Sequence, residues 1–310
     1  MIFSKPKFWH KKNSLISWML VPISLFLQLL SAIKAKITIQ KSFKIPIICV
    51  GNIYLGGTGK TPLSIWIVNE LKKYKKKSII VKKYYSKHID EHKLITDNLI
   101  DLELNNSRAN ALEIVQKKDY DYAILDDGFQ DFSVNKNLNI VCFNSNQLIG
   151  NGLTLPSGPL RESINGLKRC QIVIINGEKN LSFEKQIVKI SDKIQIFYSK
   201  YFPVNIDKLK NKKFFAFAGI GNPNNFFDLL KKNNILVEKK FSFPDHFHYK
   251  KSDIQSMINE SLKNDCELIT TEKDYFRIKD LGFDKIQYLK IELKIFEKEK
   301  IINKILDCKI

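Results

Sequence analysis

The sequence predicts an α/β protein: a mostly parallel sheet with helices on both faces, a second and smaller α/β domain after it, and an apolar helix before it. Three observations carry that expectation. From Ile45 onward, short β-branched or aromatic runs alternate with longer amphipathic stretches. A glycine-rich turn separates the first such run from a helical pattern. Apolar periodicity lapses over Lys200–Lys213 before a strand, a turn and a helix begin again. The expected organisation is a membrane-associated helix over 1–36, a first domain over 37–200, a linker over 201–213 and a second domain over 214–310.

Ser14 to Ile33 carries no charge over 20 positions, about the length that crosses a bilayer as a helix. Lysines flank it on both sides, Lys5, Lys7, Lys11 and Lys12 before and Lys34, Lys36, Lys41 and Lys44 after. With no basic asymmetry to orient a span, and with Pro22, Gln28 and several serines inside it, the stretch reads as a helix lying in the interface of an anionic leaflet. A buried core helix is the competing reading.

Strands are expected at Ile45–Val50, Ser78–Lys82, Tyr122–Leu125, Leu138–Phe143, Gln171–Ile175, Gln195–Ser199, Phe214–Ala218 and Glu267–Thr271. The turn Gly219-Ile220-Gly221-Asn222-Pro223 opens the helix that follows the seventh.

The formal net charge of +19 raises anionic partners. The excess is almost all lysine, and the arginines are Arg108, Arg161, Arg169 and Arg277 alone. Without arginines clustered among aromatics, a nucleic-acid surface is not expected. The five cysteines are scattered and form no C-x-x-C pair, which argues against disulfides and zinc and for a reducing compartment. Cys49 and Cys142 sit in apolar runs and read as small core residues.

The run Gly51-Asn52-Ile53-Tyr54-Leu55-Gly56-Gly57-Thr58-Gly59-Lys60-Thr61-Pro62 leads from a strand into a helix. Glycines let successive N–H groups turn onto phosphate oxygens, a helix N-terminus adds partial positive charge, Lys60 reaches the β- and γ-phosphates, and Thr61 ligates Mg²⁺. The cradle for ATP is therefore expected over Tyr54, Leu55, Gly56, Gly57, Thr58, Gly59, Lys60 and Thr61. Tyr54 stands where a strict phosphate-loop pattern has glycine. The strand Tyr122–Leu125 ends in Asp126-Asp127-Gly128, which supplies an acidic partner for magnesium, directly or through water.

Taken together, VGNIYLGGTGKTP (50–62), LDDGFQ (125–130), GNGLTLPSGPLRES (150–163), AGIGNP (218–223), FPDHF (243–247) and TEKD (271–274) resemble, in order and spacing, the tetraacyldisaccharide 4′-kinase family. The resemblance spans nearly the whole chain. It implies an ATP- and Mg²⁺-dependent kinase that phosphorylates the 4′-hydroxyl of a tetraacyldisaccharide 1-phosphate, a lipid A precursor. Together with the basic-flanked apolar stretch, this places the expected work at the cytoplasmic face of the inner membrane, and no obligate protein partner is expected.

The resemblance further implies that Arg161 stabilises charge on the transferring group and that Glu162 joins Asp126 or Asp127 around magnesium. His246, in the Asp245-His246 pair, supports a carboxylate base, matched here by Asp90 with Asp97 as the alternative. Arg108 and Gln130 fall in the substrate-binding region. The chain departs from the family pattern at Lys83-Tyr84-Tyr85-Ser86, at the residues flanking Asp90-Glu91, and at Asp131, where histidine commonly follows the glutamine. A membrane-associated ATPase of the partitioning type is the alternative, and Leu55 in place of its signature lysine counts against it.

Overall fold

The computed structural model describes residues 6–85, 89–245, 247–283 and 285–309, with the side chains of residues 89 and 90 outside the description. The chain divides into two compact units. One comprises residues 6–84, 99–200 and 293–309; the other comprises Tyr85–Asn98 and Tyr201–Glu292.

The first unit is built on β1 (Ile47–Gly51), β2 (Ser78–Lys83), β3 (Leu102–Asn105), β4 (Tyr122–Asp126), β5 (Leu138–Asn144), β6 (Ile172–Asn176), β7 (Gln195–Pro203) and β12 (Ile291–Ile295). Their order in the sheet is β12-β7-β6-β5-β1-β4-β2-β3. The pairings from β7 across to β3 are parallel. Every residue of β1, β4 and β6 is buried, as a parallel sheet covered on both faces requires, so these strands read as continuous apolar runs. The helix α2 (Lys60–Lys73) buries Leu63, Ile67 and Leu71, spaced by one helical turn, against this sheet. Cys49 and Cys142 are core residues, at 0% and 2% exposure.

The helix α1 (Leu15–Ile37) belongs to the same unit and is inverted in polarity. Its buried residues are Ser17 and Ser24, one heptad apart, while Leu15 and Met19 are 81% and 79% exposed. Ser24 Oγ donates to the Thr154 carbonyl at 3.0 Å and lies 2.8 Å from Ser157 Oγ, from which it accepts, and Gln28 Nε2 donates to Thr154 Oγ1 at 2.7 Å. A core helix would turn its leucines inward, so the buried-core reading of this stretch fails.

In the second unit β8 (Lys213–Ala218), β9 (Leu236–Ser242), β10 (Glu267–Thr271) and β11 (Gln287–Leu289) form a parallel sheet ordered β11-β10-β8-β9. Period-two alternation along β8 feeds two cores. Phe214, Ala216 and Ala218 pack with α6 (Pro223–Lys232), whereas Phe215 and Phe217 pack with Tyr249 and α7 (Lys251–Lys263). The short helix α3 (Ile89–Asp97), between β2 and β3 in sequence, packs on α8 (Glu272–Ile278) of this unit.

Strands β3, β9, β11 and β12 lack the apolar runs that mark the others. At a sheet edge one flank is solvated, and the sequence LVEKKFS of β9 is mostly exposed. The interval 201–213, expected as a linker, contains the end of β7 and a short 3₁₀ turn over Ile206–Lys208.

Candidate active site

Parallel register places the site at the carboxyl ends of neighbouring strands, the customary location in open α/β sheets. Val50 of β1 lies opposite Asp126 of β4, and Asp126 lies opposite Lys82 of β2. The chain leaves β1 at Gly51, where a Cβ would stand 2.4 Å from that of Phe129. Gly59, at φ +96°, then turns the loop into α2. Asn52, fully buried, braces this loop by donating to the Gly56 carbonyl at 3.1 Å and to Thr58 Oγ1 at 2.9 Å.

Behind the loop runs the GPLRE segment. Arg161 N–H donates to the Ile53 carbonyl at 2.7 Å and Leu55 N–H to the Pro159 carbonyl at 2.8 Å, with Tyr54 buried in a bridge to Leu160. Tyr54 and Leu55, expected among the phosphate-binding residues, lie against this segment, with Tyr54 buried and the Leu55 N–H committed to Pro159.

Three charged groups meet in front of α2. Arg161 Nη1 lies 2.8 Å and Lys60 Nζ 3.7 Å from the same oxygen, Asp127 Oδ1. Burial alone would raise the Asp127 pKa, but Lys60 and Arg161 outweigh it and hold the carboxyl well below the usual carboxylate range. Asp127 therefore stays ionised and keeps two cations converged at the start of α2. Beside it, Thr61 Oγ1 donates to Asp126 Oδ2 at 2.8 Å. Asp126 is fully buried, and its Oδ1 has no partner among the described residues. A hydroxyl beside a carboxylate with an unsatisfied oxygen suits a hard divalent cation, so Thr61 and Asp126 fit magnesium.

The other expected metal ligands also carry ion pairs in this structure. Asp127 is paired with Lys60 and Arg161, as above. Glu162 accepts from Gln130 Nε2 and from Arg169 Nη2, both at 2.7 Å, and the Arg169 guanidinium lies 4.7 Å from the Phe129 ring centroid. Gln130, expected near substrate, ties Glu162 to the loop through the Asn52 carbonyl at 2.8 Å. Arg108 is also turned inward. Its guanidinium donates to the Asp127 carbonyl at 2.6 Å and to Asp131 at 3.3 Å, and it is only 8% exposed. Asp131, standing where relatives commonly have histidine, thus anchors Arg108 beneath the Asp-Asp-Gly turn, in which Asp127 takes a φ of +60°.

In the second unit, Lys273 lies 3.2 Å from Glu91 and 3.9 Å from Asp245, the chain neighbours of the expected base Asp90 and its partner His246. The Asp90 side chain and His246 themselves lie outside the described residues. Asp97, the alternative base, is 3.5 Å from Lys279. The AGIGNP and TEKD segments join at buried Asp274, which accepts from Gly219 N–H at 2.9 Å and Arg277 Nη1 at 2.6 Å. They are scaffold for this unit.

Sequence reasoning did not single out Lys82, Asn52 or Arg169 as site residues. A lysine ending an otherwise apolar strand was the available signal for Lys82.

The family model for tetraacyldisaccharide-1-phosphate 4′-kinase matches residues 16–101 and 90–309. A tetraacyldisaccharide 4′-kinase of Pelagibacter ubique is 43% identical, covering 99% of this chain and 98% of its own. Another, from Haemophilus influenzae, is 32% identical, with 94% of this chain and 93% of its own covered. The crystal structure of LpxK from Aquifex aeolicus in complex with ATP shares the fold, with a TM-score of 0.72 at 22% identity, covering 96% of this chain and all of that one. With its strand ends, phosphate loop and GPLRE wall arranged as described, the chain belongs to the tetraacyldisaccharide-1-phosphate 4′-kinase family.

Proposed function

We propose that the chain transfers the γ-phosphoryl group of ATP to the 4′-hydroxyl of a tetraacyldisaccharide 1-phosphate, yielding lipid IVA at a membrane surface. The convergence of Lys60 and Arg161 on Asp127, beside the Thr61–Asp126 pair, carries the reading. Phosphoryl transfer needs positioning and neutralisation of charge around the phosphates, and these groups are built for both. Lys60 neutralises the β,γ-bridge region and Arg161 the equatorial oxygens of the transferring group, while Asp127 restrains both cations. Thr61 and Asp126 would hold magnesium, which would supply Lewis-acid neutralisation of the phosphate oxygens.

Asp90, supported by His246, takes the proton of the sugar hydroxyl. The link of Lys273 to Glu91 and Asp245 supports that assignment, because it ties the two chain segments together within one unit. The outward leucines of α1 enter the interface of an anionic leaflet on the cytoplasmic face of the inner membrane, and the flanking lysines meet its headgroups.

Incubation with γ-labelled ATP, Mg²⁺ and a tetraacylated glucosamine disaccharide 1-phosphate tests the reading. A labelled bis-phosphorylated lipid is expected. ATP hydrolysis indifferent to the lipid would instead support an ATPase of the partitioning type. Asp90→Asn is expected to lower kcat with ATP affinity nearly unchanged, and normal turnover in that variant would move the base to Asp97 or elsewhere.

A further inference from the structure

Lys82 Nζ lies 2.5 Å from Asp126 Oδ2 and 3.4 Å from Thr61 Oγ1, so one ammonium touches both groups that fit magnesium. Lys82 is 4% exposed, and its strand register sets it opposite Asp126, on the same face of the sheet. A lysine serving only to neutralise a buried carboxylate has no need to reach the threonine as well. Here the ammonium bridges the hydroxyl and one carboxylate oxygen and leaves Asp126 Oδ1 unpartnered among the described residues.

We propose that Lys82 is a tethered competitor of the divalent cation. In the nucleotide-free protein it holds Thr61 and Asp126 and keeps free divalent ions out. When ATP arrives without a metal, it screens Asp126 from the phosphates, so nucleotide binding depends only weakly on magnesium. Loading of the metal is thereby tied to the nucleotide, whose phosphates supply the ligands that two protein groups cannot supply alone. The proposal rests on the reading of this loop as an ATP–magnesium site.

The test uses the full chain and measures binding, not turnover. Mn²⁺ affinity without nucleotide is followed by electron paramagnetic resonance, and the affinity for a fluorescent ATP analogue is measured in Mg²⁺ and in EDTA. Lys82→Met is expected to bind Mn²⁺ at least about tenfold more tightly than the wild type, because the carboxylate has lost its resident cation. Its nucleotide affinity should fall more steeply in EDTA. Lys82→Gln retains an N–H donor for Asp126 without the charge, and is expected to behave alike should Lys82→Met fail to fold. Unchanged Mn²⁺ affinity in a folded variant overturns the proposal. So does a loss of more than about a hundredfold in wild-type nucleotide affinity on moving to EDTA, a measurement that needs no variant. A wild type that binds nucleotide under neither condition would refute the ATP-site reading instead.

Discussion

Arg161 Nη1 and Asp127 Oδ1 are joined at 2.8 Å, and this bond couples the GPLRE segment to the Asp-Asp-Gly turn. Because Asp127 has a depressed pKa in the folded state, its contribution to stability is present above its unfolded pKa of about 4 and is lost as pH falls through the lower folded value. Arg161→Met removes one of the charges that depress it, so the acid-unfolding midpoint should move to higher pH, as followed by circular dichroism. The same variant should lose on the order of 10²-fold in kcat, with the fold intact at neutral pH.

Lys60→Ala should reduce turnover by more than about tenfold, or about 1.4 kcal/mol in the barrier. Steady-state kinetics with saturating lipid checks this. A smaller loss would contradict the position of Lys60 at the β- and γ-phosphates.

Gly51→Ala should destabilise the first unit by about 1–3 kcal/mol, because the new methyl would meet the Phe129 Cβ at 2.4 Å and displace the strand–turn contact. Urea titration of the purified variant measures the loss. ATP affinity should fall with it, since the phosphate loop begins at this residue.

The two faces of α1 should respond in opposite ways. Ser24→Leu inserts a large side chain against Thr154 and Ser157, and should lower the melting temperature of the first unit. Leu25→Ser and Phe26→Ser, at positions each 59% exposed, should leave it within about 0.5 kcal/mol of the wild type while reducing co-sedimentation with anionic vesicles.

Glu272 is pushed up to about 7 by burial, with the Asp97 carboxylate adding to the shift and Lys290 opposing it. The folded state therefore holds a proton that the unfolded state releases near pH 4.5. Stability of the second unit is full below that pH and declines as pH rises through about 7. Glu272→Gln should flatten this decline and stabilise the unit at pH 8 by on the order of 1 kcal/mol, with little effect at pH 4. Thermal melts across that range decide it.

Sequence alone determined the elements whose physics is local. The buried parallel strands, the glycine turn into α2 and the uncharged stretch of α1 each leave a signature within one contiguous stretch of chain, because burial and backbone geometry act there directly. The acidic strand end and Lys60 were legible for the same reason. Tertiary structure decided which charges meet. Lys82 reaches Asp126 only because β2 pairs beside β4, and Glu162 turns to Arg169 and Gln130 because the GPLRE segment crosses the loop at Ile53 and Leu55. The allegiance of α3 to the second unit and the inward serines of α1 were likewise settled by packing between distant segments. Contacts at long sequence separation leave no periodicity in the chain, and they are what assign each charged side chain its partner.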